Sequence, residues 1–187
     1  MNHSHDASHC STHQMPNPSV MQTMPEMEFE RGVWSAALSG EVGKVNNYLA
    51  KGGDANAVDS SGYTALHYAS RSGHRAVIAI LLQHGANPNI QTRAGGATAM
   101  HRAAYCGHSK VILDLLQAKA DPTLQDKDGK TALHKAAEMS QKEAFEVLLK
   151  TNKHLLNIKD NNGKAPVDYI KEHKAHLEHC KEILQNL

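Results

Sequence analysis

The sequence predicts an all-α solenoid of about five helix–turn–helix units joined by β-hairpin-like turns. Three observations carry that expectation. The tetrapeptide Thr64-Ala65-Leu66-His67 recurs as Thr98-Ala99-Met100-His101 and as Thr131-Ala132-Leu133-His134, at spacings of 34 and 33 residues. Each copy leads to a small pair (Ala69-Ser70, Ala103-Ala104, Ala136-Ala137) and then to an apolar block. The blocks are Val77-Ile78 with Leu81-Leu82, Val111-Ile112 with Leu115-Leu116, and Ala144-Phe145 with Leu148-Leu149. Self-similarity at a fixed period of this size is the mark of stacked supersecondary units. Finally, Leu, Ile, Val and Phe make up only 35 of 187 residues while Ala supplies 24, which suits closely packed helices better than a sheet.

Taken in chain order, residues 1–25 read as a disordered tail rich in His, Ser and Met. They show no periodicity, and such a composition cannot offset the entropy of ordering. Residues 26–187 read as the repeat domain. In the first unit, 26–58, Ala36-Ala37, Gly40, Val45, Leu49, Gly53 and Asn56 fall in register without the tetrapeptide, and Trp34 reads as a buried cap. In the second, 59–92, the Thr64 hydroxyl stands at a helix start, where free N–H groups need an acceptor. Gly73 then stops the first helix, Gly85 ends the second, and Pro88 cannot continue it. The third unit, 93–125, repeats this with Gly107 and Pro122. The 34-residue spacing places one extra residue within Thr92–Gly96, which reshapes one hairpin tip. The fourth unit, 126–159, has Ser140 in place of the helix-stopping glycine, so that turn is expected to be less stable. It also gains a residue near Asn152-Lys153-His154. The fifth, 160–187, restarts with Asp160, Gly163, Ala165, Pro166, Val167 and Asp168. Gly62, Gly96, Gly129 and Gly163 supply the hairpin tips. The terminal units are degenerate, as expected where one face has no neighbour.

The Gly-x-Thr-x-Leu-His stretches at 62–67 and 129–134, the pairs Gly73-His74 and Gly107-His108, and the Leu-Leu pairs resemble the ankyrin repeat family over residues 29–187. The resemblance implies that His67, His101 and His134 hydrogen-bond around their Thr and hold the turn. It also implies where a partner binds: at hairpin residues flanking the Gly and at the last exposed residues of the first helix. By register these are Ser60, Ser61, Tyr63, Arg71 and Ser72, then Ala94, Ala97, Tyr105 and Cys106, then Lys127, Asp128, Lys130, Glu138 and Met139. Tyr63, Arg71, Tyr105 and Met139 are the expected anchors, being of types enriched at interfaces. The competing reading of Tyr63 and Tyr105 is that they cover adjacent repeats. Asn56, Asn89 and Asn157 resemble the hairpin asparagines that are hydroxylated in ankyrin proteins, although Pro88 departs from the pattern before Asn89.

Composition narrows the function. A net charge of +1 removes the simplest argument for nucleic acid. No apolar run approaches membrane-spanning length, and the N-terminus lacks the basic and apolar regions of a secretory leader. Cys10, Cys106 and Cys180 are odd in number and widely spaced, which fits a reducing intracellular setting: the cytoplasm, with the nucleus as a further compartment. No GxSxG, Walker, HExxH or kinase motif occurs, so neither catalytic residues nor a cofactor are expected. Cys106 and His108, two apart at a turn, should diverge, and His108 in register with His74 reads as structural. The alternative function is metal binding by the tail through His3, His5, His9, Cys10 and His13. His173, His176 and Cys180 share a helical face, but Leu177, Cys180, Leu184 and Leu187 also read as a packing stripe. The expectation is a monomeric, non-catalytic adaptor that binds a protein partner of unknown identity.

Overall fold

A computed structural model describes residues 32–172, with side chains to Ile170. The tail with its histidines and Cys10, and the C-terminal group His173, His176, Leu177, Cys180, Leu184 and Leu187, lie outside the described residues. Within them, nine α-helices follow one another: α1 (Val33–Leu38), α2 (Val42–Ala50), α3 (Ala65–Ser72), α4 (Arg75–Gln83), α5 (Ala99–Cys106), α6 (Ser109–Gln117), α7 (Ala132–Glu138), α8 (Lys142–Thr151) and α9 (Pro166–Glu172). A 3₁₀ turn at Lys153–Asn157 follows α8 and takes up the residue gained there. The odd-numbered helices pack side by side in one row, and α2, α4, α6 and α8 form a second row behind it.

The small pairs explain the first row. Ala69, Ser70, Ala103, Ala104, Ala136 and Ala137 are buried, so α3, α5 and α7 approach closely while Leu66, Met100 and Leu133 fill the space towards the second row. That row contributes Val77, Ile78, Leu81, Val111, Ile112, Leu115, Phe145, Leu148 and Leu149, all within one core. Gly73 and Gly107 end α3 and α5 in the left-handed region, at φ +78° for both. Ser140 adopts φ +59° at the matching position. A Cβ costs energy in that conformation, which is the physical content of the expected weak turn.

The units are joined by one repeated device. The Thr64 N–H can only donate, and it points at His67 Nδ1 at 3.1 Å, so that nitrogen carries no proton. Nε2–H is then left to donate to the Ala97 carbonyl of the next hairpin, 3.1 Å away. His101 accepts from Thr98 N at 3.1 Å and donates to Lys130 O at 2.9 Å. His134 does the same with Thr131 N and Lys164 O. Trp34 holds the equivalent position before the second hairpin, and its indole N–H donates to Ala57 O at 3.1 Å. Trp34, half-buried, thus shares only the donor with the histidine device, and spends it on a carbonyl of its own unit just before the second hairpin.

A second bridge runs at the other end of the first helices. His74 Nε2 meets Leu38 O at 3.0 Å and His108 Nε2 meets Arg71 O at 2.9 Å. His108 is thus committed to the unit before it, in keeping with its structural reading.

Candidate functional site

The hairpins lie alongside the first-helix row, and each is built around one carboxylate. Asp59 Oδ1 accepts from the N–H groups of Ser61 and Tyr63, both at 2.9 Å. Asp126 and Asp160 do the same for Asp128 and Lys130, and for Asn162 and Lys164. In each case the tip closes from the Gly N–H back to the Asp carbonyl, three residues away. The third hairpin departs from this. Thr92 stands where the Asp would be, Gly96 N–H reaches back four residues to Thr92 O at 2.9 Å, and the Thr92 hydroxyl accepts from Ala97 N at 3.1 Å. This is where the extra residue sits.

The second carboxylate oxygen of each hairpin Asp receives the side chain four residues after the helix-capping position. The Tyr68 hydroxyl donates to Asp59 Oδ2 at 2.6 Å. Lys135 Nζ lies 2.9 Å from Asp126 Oδ2, and the Tyr169 hydroxyl donates to Asp160 Oδ2. Burial and the Asp59 bond push the Tyr68 phenol up. Burial alone would raise the Asp126 carboxyl, but Lys135 and the backbone N–H of Lys130 outweigh it and hold it below the usual range. Arg102 is the second of the four positions in this row, and in its register Thr92 takes the place of the hairpin Asp. Arg102 instead lies over the Tyr63 ring, 4.9 Å from its centroid, with one terminal nitrogen donating to the Tyr63 hydroxyl. Its buried Nε has no hydrogen-bond partner among the described residues.

The expected contact residues divide by environment. Ser60, Ser61, Ala94, Lys127, Asp128 and Arg71 are exposed. Tyr105 and Met139 expose 45% and 38% of their surface, large values for such side chains. Ser72 and Cys106 are half-buried. Lys130 and Glu138 pair with each other at 2.9 Å, and Lys130 also stands 4.6 Å from the Tyr169 ring centroid. Tyr63 faces Arg102 and presents an edge to His67, so it covers the adjacent repeat. Ala97 requires a correction. It is 7% exposed, with its carbonyl receiving His67 and its N–H held by Thr92, so it presents little surface to a partner.

The structure gathers Ala97, Tyr105 and Asp128 with Gly95, His101, Arg102, Asp126 and Lys135 around a cleft of about 190 Å³ between the third and fourth hairpins. Sequence reasoning passed over Tyr68, Arg102 and Lys135. Their signal was present: with Tyr169 they recur at spacings of 34, 33 and 34 residues. Two of the three asparagines, Asn56 and Asn89, have a structural task. Asn56 accepts from Asn87 N at 2.7 Å and donates to Gly85 O, and Asn89 accepts from Asp121 N at 2.8 Å and donates to Lys119 O. Among the described residues no cluster of three or more His, Cys, Asp or Glu is arranged to hold a metal ion, and no helix is long and apolar enough to cross a membrane.

A family model for ankyrin repeats (three copies) matches residues 33–126 and 100–187. Human ankyrin repeat domain-containing protein 39 is 52% identical over 83 residues, 44% of this chain and 45% of that protein. Its bovine counterpart is 55% identical over 67 residues, 36% of this chain and 37% of the relative. The matched stretches thus span less than half of those relatives. Mouse 2-5A-dependent ribonuclease is 35% identical over 86 residues, 46% of this chain but only 12% of that protein. The chain belongs to the ankyrin repeat family.

Proposed function

We infer that this ankyrin-repeat chain is a non-catalytic adaptor that holds a protein partner on the face made by its hairpins and first helices. Ankyrin repeats bind protein partners, and one observation favours this face: Tyr105 and Met139, large side chains, are exposed at the C-terminal ends of adjacent first helices. Their neighbours at the tetrapeptide and small-pair positions are consumed by packing between units. Exposed apolar side chains flanked by polar ones are characteristic of interfaces. A face of about five units offers on the order of 800 Å² to a partner, enough for a specific complex. We read the chain as a monomer acting in the cytoplasm, with the nucleus as a further compartment; the odd and widely spaced cysteines support the reducing setting.

The test is affinity capture from cell extract with the wild-type chain and with Arg71→Ala combined with Tyr105→Ala. The expected result is loss of the captured partner with thermal stability nearly unchanged, since both side chains are exposed. Capture that survives the double change overturns this choice of face. Loss of folding assigns the two residues a structural role instead.

A further inference from the structure

We propose that Arg102 is the seat for an acidic side chain of the bound partner, an Asp or Glu on an extended segment entering the cleft between the third and fourth hairpins. This rests on the adaptor reading above and names the chemistry that the partner brings.

The argument starts from what the row lacks. Tyr68, Lys135 and Tyr169 each meet a hairpin carboxylate of their own unit. Arg102 occupies the same register, carries a permanent charge and meets none, because Thr92 replaces the Asp. Its guanidinium is bonded at one terminal nitrogen to a neutral phenol and lies against that phenol's ring. Its Nε is sealed from water and has no partner among the described residues. A buried charged donor left unpaired is a cost to the free chain, and an incoming carboxylate would relieve it. Guanidinium matches carboxylate geometry through two parallel N–H bonds, one of them from Nε, once the side chain lifts from the Tyr63 ring.

The surroundings fit such a guest. Arg102 lines the 190 Å³ cleft beside Tyr105, whose exposed phenol can donate a further hydrogen bond. Of the two carboxylates there, Asp126 is already paired with Lys135 at 2.9 Å. Asp128 stands exposed on the hairpin tip at the rim. His101 is held neutral by burial, which lowers its affinity for a proton. Among the described residues lining the cleft, Arg102 is therefore the cation without an ion-pair partner.

The experiment is selection of a random dodecamer peptide library on the immobilised full-length chain, with affinities then measured for the selected peptides. The expected result is enrichment of Asp or Glu at one position and at least about tenfold weaker binding to Arg102→Gln. Thr92→Asp, which supplies the missing carboxylate from within the chain, should weaken the same peptides and raise the unfolding temperature. Lys110→Gln, an exposed charge on α6, should leave binding unchanged. Peptides without an acidic position, or bound within twofold by Arg102→Gln, overturn the proposal while leaving the adaptor reading intact. Failure to select any peptide sensitive to Arg71→Ala with Tyr105→Ala overturns both.

Discussion

Acid should destabilise this chain well before its carboxylates titrate, and the reason lies in the three buried histidines. Neutral His67 uses both ring nitrogens, Nδ1 as acceptor from Thr64 N–H and Nε2–H as donor to Ala97 O. A proton on Nδ1 would face a donor that cannot turn away. Burial, opposed only in part by the bond to Ala97, takes its pKa from 6.5 down to about 4. A group with a depressed folded-state value binds fewer protons folded than unfolded. Its stabilisation is therefore complete above the unfolded value near 6.5 and is lost as the pH falls from there through about 4. For His67 the full span amounts to about 3 kcal/mol, of which about 2 kcal/mol is gone by pH 5. His101 and His134 are shifted the same way, again mainly by burial, and add to the slope. Asp126 and Asp160 are held below the ordinary carboxylate value. They stay ionised throughout this range, and their own contribution is lost only below it. The measurement is urea unfolding at pH 7.5 and pH 5.0. The chain should lose at least about 2 kcal/mol, and His67→Gln should lose its share of that slope. A stability that moves by less than about 0.5 kcal/mol between the two pH values refutes the assigned ring state.

Three smaller perturbations probe the packing. Ser140→Gly should stabilise the chain by about 1 kcal/mol in thermal unfolding, since a serine now holds a left-handed conformation; a loss of stability would show that its side chain contributes something else. Ser70→Ala should also stabilise, by about 1 kcal/mol, because the Ser70 hydroxyl is buried without a partner where the other small pairs carry Ala; denaturant titration decides its sign. Leu115→Ala, at a fully buried position between the rows, should cost about 2–5 kcal/mol, and a change below 1 kcal/mol in the same titration would contradict the described core.

Much of this was legible in the sequence because the repeat writes each physical requirement several times. Small pairs for close helix approach, a Thr and His three apart for the turn, and a glycine for the helix stop recur at one register, so each copy supports the others. What was not legible depends on a break in that register. The extra residue of the third hairpin hides the alignment of Thr92 with Asp59, Asp126 and Asp160, and with it the isolation of Arg102. Ala97 was expected as a contact because it flanks the hairpin Gly96 by register; the crossing of His67 to its carbonyl and the hold of Thr92 on its N–H draw it inward instead. Lys119, in the left-handed region at φ +63°, replaces the glycine found at position 85 and gave no local signal at all.

The same comparison suggests where individuality resides in a molecule made of near-copies. A side chain that repeats is spent on its neighbour: histidine to the next hairpin, the second helix bridge to the preceding unit, Tyr68, Lys135 and Tyr169 on their own carboxylates. Such a residue cannot also choose a partner without loosening the stack. Selectivity must then fall on positions where the pattern is broken or left blank. Tyr105 and Met139 are blanks, since among the described residues no inter-unit bond uses their side chains. Thr92 is a break, and it releases Arg102 from the role its register would otherwise impose. Restoring the carboxylate at position 92 and watching stability rise as peptide binding falls would measure directly the exchange between holding the stack together and recognising something outside it.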